Sequence, residues 1–373
     1  MEISTVSRAV KIGLHACGIW PYLPSTIFQY RYVMIHYYTD SFSNFMVGVS
    51  SAMTYSLLLI KLVILWVNYA SRRIQFDRRT FSDILQMMAV DWQNCDLIEC
   101  CLRITMNRAR LSHRVSNWLI DLQLGAIVLY SCGILTGNAG DVEKMNVSAR
   151  EHILKMKLSF VMNTFPVYAL VIIFEFCHLS ICPAGYLIVN SNIVILAFSK
   201  NMILTVDGIT LKMLIMKHQR IIAFTQRIET LYTYIALMLF VSDTIIICCI
   251  GFIIITSIGT PGGFPVLVRS ILYYFVMNLE AFIYCFAGEY LSTKSRMIGD
   301  AAYNSLWYDV MPKQSRTVHL VILRSQKHLS ITIGKVMDLS LERFTSIMKA
   351  SASYISILMA MYGAISFMSI GIL

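Results

Sequence analysis

Residues 231–257 read LYTYIALMLFVSDTIIICCIGFIIITS, and Asp243 is the only charged residue among them. A run this long and this apolar has two homes: it is enclosed by protein on every side, or it crosses a bilayer. Comparable runs occupy residues 45–69, broken by Lys61, and 118–137, broken by Asp121. Others lie at 165–198 with Glu175, 266–288 with Arg269 and Glu280, and 344–368 with Lys349. One soluble core cannot hide all of them. The chain is 57% hydrophobic and 14% charged, with a mean hydropathy of +0.64, whereas charged residues make up about 25% of soluble domains. Long runs bounded by charged stretches specify spanning helices, since the strands of a membrane barrel alternate weakly over short segments. The sequence therefore predicts an all-α, polytopic membrane protein.

Before the first clear run the pattern is broken. Pro21, Pro24, Arg31 and His36 interrupt the apolar stretch from Ile12 to Tyr38, leaving no segment near the roughly 20 residues a crossing needs. No small-residue cleavage site follows a clean apolar core, so no signal peptide is expected. A first span is predicted to be shortened or missing, with an aromatic-rich helix over residues 26–48 as the alternative. Further along, 165–198 exceeds one straight crossing, and Pro183 and Gly185 in its middle predict a kinked, tilted helix. KHQRIIAFTQRIETLYTYIALMLF is expected to pass from an amphipathic helix directly into the 231–257 span. Gly259-Thr-Pro-Gly-Gly263 predicts a short turn.

A net charge of +10 would suit nucleic acid, but the placement of the charge argues otherwise. Most of the 31 Lys and Arg fall in residues 1–31, 70–117, 199–230 and 291–343, which the positive-inside rule assigns to the cytoplasm. With an intact first span this gives a cytoplasmic N-terminus and an extracellular C-terminus, and no nucleic-acid partner is expected. The sequon Asn146-Val147-Ser148 falls in a connector that this scheme places outside, making Asn146 a glycosylation candidate.

Ionisable groups within apolar runs are expensive and mark function by default. Lys61 and Lys349 lie near span ends, where lysine snorkels to the interface; Glu175 and Glu280 lie deeper and need partners that the sequence does not name. No GxSxG elbow, HExxH pair, phosphate-binding Gly loop or Asp-rich metal site occurs. No CxxC pair with a downstream His appears among the ten cysteines. No catalytic residue, metal site or cofactor is expected. The 20 Tyr, 19 Phe and 22 Met suit an adaptable pocket for small apolar molecules, although each is first a packing group. Ser353, Ile357 and Met361 recur every four residues and share one helical face; taken alone, that face is a packing stripe.

The last third of the chain carries FIYCFAGEYLSTKS, AAYNSLWYDVMP, RSQK and DLSLERFTSIMKASASYISILMAMY in that order. Together these strings resemble the C-terminal signature of the insect odorant receptors, particularly the large hymenopteran sets. The resemblance runs from Asp40 onward and is most specific after Phe282. Gly18-Ile19-Trp20-Pro21 and Asp40-Ser41-Phe42 resemble the two ends of that family's first span, here brought close together. SYISILMAM departs from the motif that usually ends gustatory receptors, which share the fold. The Asp-Arg-Tyr and Asn-Pro-x-x-Tyr motifs of G-protein-coupled receptors are absent at the expected spans, and no internal repeat suggests a secondary transporter.

The resemblance implies a seven-helix receptor with inverted topology. It divides into a ligand-binding bundle over 1–290 and an anchor connector with a last pore-lining helix over 291–373. It further implies an odour-tuning subunit of a non-selective cation channel in the plasma membrane of olfactory sensory neuron dendrites. The partners implied are a shared co-receptor in a hetero-tetramer and a small apolar odorant or cuticular hydrocarbon. The ligand region it implies corresponds here to Met53, Tyr55, Tyr130, Tyr168, Phe174, Tyr273, Tyr274 and Met277. In the register set by Tyr354, the pore face corresponds to Ser353, Ile357 and Met361.

Overall fold

The computed structural model describes residues 22–37, 42–70, 211–258, most of 260–370, and parts of 107–133 and 166–176. The sequon at Asn146, the kink at Pro183 and the connectors around them lie outside the described residues. Among those described, α1 is Tyr22–His36, α2 is Phe42–Ala70, α3 is Leu211–Ser257 and α4 is Phe264–Tyr303. Then come α5 (Pro312–Gln326), a hairpin of β1 (Thr332–Ile333) and β2 (Met337–Asp338), and α6 (Leu341–Ile370).

Four of these helices contain segments long and apolar enough to cross a membrane: Phe42–Lys61, His218–Ser257, Phe264–Tyr303 and Leu341–Gly363. Leu124–Gly133 is a shorter apolar helix within the third predicted run. Helix α1 has 15 residues, about 22 Å at 1.5 Å per residue, and lies against α2. By the same measure the 47 residues of α3 reach about 70 Å, more than twice a 30 Å hydrocarbon layer. Its N-terminal part, which carries Lys212, Lys217, His218, Arg220 and Arg227, therefore projects beyond the bilayer on one side. Pro265 opens α4 and Pro312 opens α5, where a missing N–H removes no helical hydrogen bond.

Two apolar clusters hold the elements together. The larger joins Tyr55, Leu57 and Leu58 of α2 to Phe224, Ile228, Tyr232 and Ile235 of α3, Tyr284 and Leu291 of α4, and Ile331, Ile333 and Leu339 around the hairpin. The smaller joins Ile246, Ile247 and Ile250 of α3 to Met277 and Ala281 of α4 and Ile347 of α6. Gly288 sets the approach of α4 to the chain leading into α6: a Cβ there would stand 2.3 Å from the Leu339 carbonyl oxygen.

The hairpin is an element that the all-α expectation did not include. Gly334 and Lys335 both adopt left-handed backbone angles (φ 59° and 62°), the pairing that lets a tight turn follow the twist of its strands. Polar tethers fix it to α3. Gly334 N–H donates to the Thr233 carbonyl at 3.0 Å and Lys335 N–H to the Thr233 hydroxyl at 3.1 Å. The Thr332 hydroxyl donates to Glu229 at 3.0 Å. Each such bond contributes about 0.5–1.5 kcal/mol net.

Candidate functional site

The apolar residues expected to line a ligand site divide between the two clusters. Met53, Tyr273 and Tyr274 pack against the smaller cluster, which includes Met277. Tyr55, one residue past Thr54, points into the larger cluster with Tyr284 and Leu291. Tyr130 lies close enough to Tyr273 for their hydroxyls to act on each other electrostatically. Tyr168 and Phe174 lie outside the described residues.

Polar groups that the sequence reading passed over orient this region. The Tyr273 hydroxyl bonds the Thr54 hydroxyl and donates to the Ser50 carbonyl at 3.3 Å. Thr54 also donates to the Ser50 carbonyl at 2.9 Å. Asn278 donates to the Tyr274 carbonyl at 2.8 Å, and its side-chain oxygen has no partner among the described residues. The signal was present: Ser50 and Thr54 are four apart, so two small hydroxyls share one face of α2.

One turn below Met277, the buried charges meet. Lys61 of α2 forms an ion pair with Glu280 of α4, and both side chains are buried. The Lys61 ammonium also lies 5.1 Å from the centre of the Tyr284 ring, a cation–π contact. Asp243 of α3 is fully buried, and neither of its oxygens has a hydrogen-bond partner among the described residues; Lys61 is the cation that acts on it. This corrects the expectation that Lys61 snorkels. Its position near a span end in the sequence is overridden by two carboxylates on neighbouring helices, and a buried lysine with carboxylate partners is stable where a lone one is not. Glu280 thereby gains its partner. Glu175 is buried as well.

Helix α6 seats itself by one face. Ile347 is buried in the smaller cluster, the Ser351 hydroxyl donates to the Thr244 carbonyl of α3 at 3.3 Å, and Ile355 lies over Gly251. Phe42, Phe252 and Tyr362 form a three-ring contact farther along. Ser353, Ile357 and Met361 fall on the opposite, exposed face, where Ile357 and Met361 are more than half exposed. Among the described residues no three His, Cys, Asp or Glu stand close enough to hold a metal.

Comparison with known proteins gives these features a context. A family model described as 7tm Odorant receptor matches residues 206–352. Odorant receptor 10 of Aedes albopictus is 32% identical over 149 residues, 40% of this chain and 39% of that protein. Odorant receptor Or2 of Anopheles gambiae is 30% identical over 145 residues, 39% of this chain and 37% of that protein. The chain thus aligns to less than two fifths of the length of either relative. The fold is that of the olfactory receptor OR5 from Machilis hrabei, solved in complex with eugenol: the TM-score is 0.71 over 92% of this chain and 87% of that one, at 14% identity. Without eugenol, the same receptor matches with a TM-score of 0.67. The matched C-terminal segment, the shared architecture and the apolar spanning helices agree: over residues 206–352 the chain is similar to the insect odorant receptors, and it shares the fold of the Machilis hrabei receptor.

Proposed function

We propose that this chain is the odour-tuning subunit of a ligand-gated, non-selective cation channel and that it works with a co-receptor subunit in a hetero-tetramer. The single observation that carries the reading is the smaller cluster. In it Met53, Tyr273, Tyr274 and Met277 are continuous with Phe344 and Ile347 at the base of α6. A small apolar molecule seated among the tyrosines and methionines presses on side chains that also seat α6, so ligand affinity that differs between two positions of α6 shifts their populations. Thr54 and Asn278 supply the few polar groups that orient such a ligand.

In this reading Ser353, Ile357 and Met361 face the axis of the assembled channel. A ring of such residues makes a narrow apolar throat that gates by dewetting. The basic end of α3 and the connector with α5 lie in the cytoplasm by the positive-inside rule, which places the N-terminus inside and the C-terminus outside. The ligand is a volatile or cuticular apolar compound, and the site of action is the plasma membrane of the olfactory neuron dendrite. Gustatory-type channel activity is the alternative within the same architecture.

The test is whole-cell current in surface-labelled cells expressing this chain, the insect co-receptor, or both, across an odour panel that includes long-chain hydrocarbons. Odour-evoked cation current is expected only with both chains and should survive G-protein block. A response that needs a G protein overturns the channel reading. Odour-evoked current from this chain alone overturns the requirement for a co-receptor.

A further inference from the structure

Beyond the bilayer end of α3, where α4, α5 and the chain after α5 converge, His218, Ser295, Arg324, Ser325 and Lys327 line a small cleft. The centre of a water-sized atom has about 10 Å³ to move in within it. The approach of α5 that creates it depends on Gly299, where a Cβ would lie 2.6 Å from the Ser325 hydroxyl.

The chemistry around this space is one-sided. His218 is 7% exposed, and neither ring nitrogen has a hydrogen-bond partner among the described residues. A buried polar ring left in that state is costly unless something outside the chain satisfies it. Burial, and then the charge of Arg324, lower the pKa of His218 from its ordinary value, so a neutral ring offers one N–H donor. The Ser295 hydroxyl accepts the Leu329 N–H at 2.8 Å, which leaves its own hydrogen free to donate. Ser325 spends its hydrogen on the Ile322 carbonyl at 2.7 Å and does not compete. None of the lining residues is acidic, and among the described residues neither Arg324 nor Lys327 is paired with a carboxylate. The cleft therefore presents donors and positive charge with no carboxylate among the described residues to neutralise them.

We infer that this cleft binds a phosphate-class oxyanion, one oxygen entering between His218, Ser295 and Arg324 while the rest of the group stays outside against Lys327. One oxygen reaches the enclosed end of the cleft, and the rest of the group lies toward its open mouth. Guanidinium and ammonium groups at the mouth match the remaining charge of such a group. The oxyanion can come from a lipid headgroup or from solution.

The experiment uses the full chain. In detergent at pH 7, thermal unfolding is followed during titration with inorganic phosphate, against sodium chloride at matched ionic strength. In phosphatidylcholine nanodiscs, the unfolding temperature is compared with and without phosphatidylinositol 4-phosphate. Stabilisation by either phosphate source beyond its control is expected, with the midpoint weakened at least tenfold in Arg324→Gln. Lys327→Glu, an exposed change that spares the fold, should weaken it likewise. Stabilisation confined to the nanodiscs assigns the headgroup; stabilisation confined to detergent assigns a soluble phosphate. Equal response to chloride, no response to either source, or an unchanged midpoint in Lys327→Glu overturns the assignment.

Discussion

Helices α3 and α6 are both apolar enough to span a membrane, yet they are finished to different degrees. In α3, 61% of the most apolar window is buried within the chain; in α6 the share is 11%. The first is wrapped by α2, α4, α6 and the hairpin, and the second touches its own chain along a single face. Hydropathy states that a helix leaves water. It does not state what the helix meets instead, and here one meets its own chain over most of its surface while the other keeps a broad apolar face for whatever lies beyond the chain.

The largest effect expected comes from breaking the enclosure of α3. Lys61→Met leaves Glu280 and Asp243 buried without their cation and should cost about 3–5 kcal/mol, read as loss of surface expression and of thermal stability. Adding Glu280→Met to Lys61→Met should recover much of it. No recovery would show that Asp243 is the carboxylate that depends on Lys61.

Next is the packing that sets α6 in place. Gly288→Ala forces a methyl group onto the Leu339 backbone and should cost about 1–3 kcal/mol. Gly251→Ala meets only the end of the Ile355 side chain, which can change rotamer. A thermal shift for Gly251→Ala as large as that for Gly288→Ala would mean that α6 is seated more rigidly than one face implies.

Smaller still is the outer face of α6. Ile357→Ser and Met361→Ser should change stability by no more than about 0.5 kcal/mol while altering the current carried with the co-receptor. Lost stability with unchanged current would make this face a lipid or packing surface and would remove it from the pore.

The smallest effect concerns the projecting end of α3. The pKa of His218 is lowered from its usual 6.5 by burial and then by Arg324, so the unfolded chain binds the proton more readily than the folded one. Its contribution to stability is present above pH 6.5 and is lost as pH falls below that value. Thermal unfolding measured between pH 8 and pH 5 in phosphate-free buffer should decline less steeply in His218→Gln than in the parent chain.

The sequence made the helical membrane class legible because apolar runs with single charges have few other interpretations. Signals that act along one helix were readable, as in the passage of the KHQRIIAF segment into the 231–257 run and the stripe of Ser353, Ile357 and Met361. Signals that need two helices were not. Lys61 and Glu280 are far apart in sequence, and only the fold shows that they pair. The hairpin escaped because its strands are two residues each, too short for an alternating pattern. What holds it is the Thr233 hydroxyl and carbonyl on a distant helix. The resemblance groups Tyr55 with Met53; residues two apart on a helix point in different directions, and the two side chains pack against different clusters.

The hairpin's anchorage to α3 carries a mechanical consequence. It clamps the chain just ahead of α6, so the last helix is a lever pinned at its base, seated along one face and bare along the other. At 1.5 Å per residue the 30 residues of α6 make a beam of about 45 Å, whose far end moves about 4 Å for a tilt of about 5° at the clamp. Displacements of a fraction of an ångström beside Ile347 thus become movements as wide as an ion at the far end.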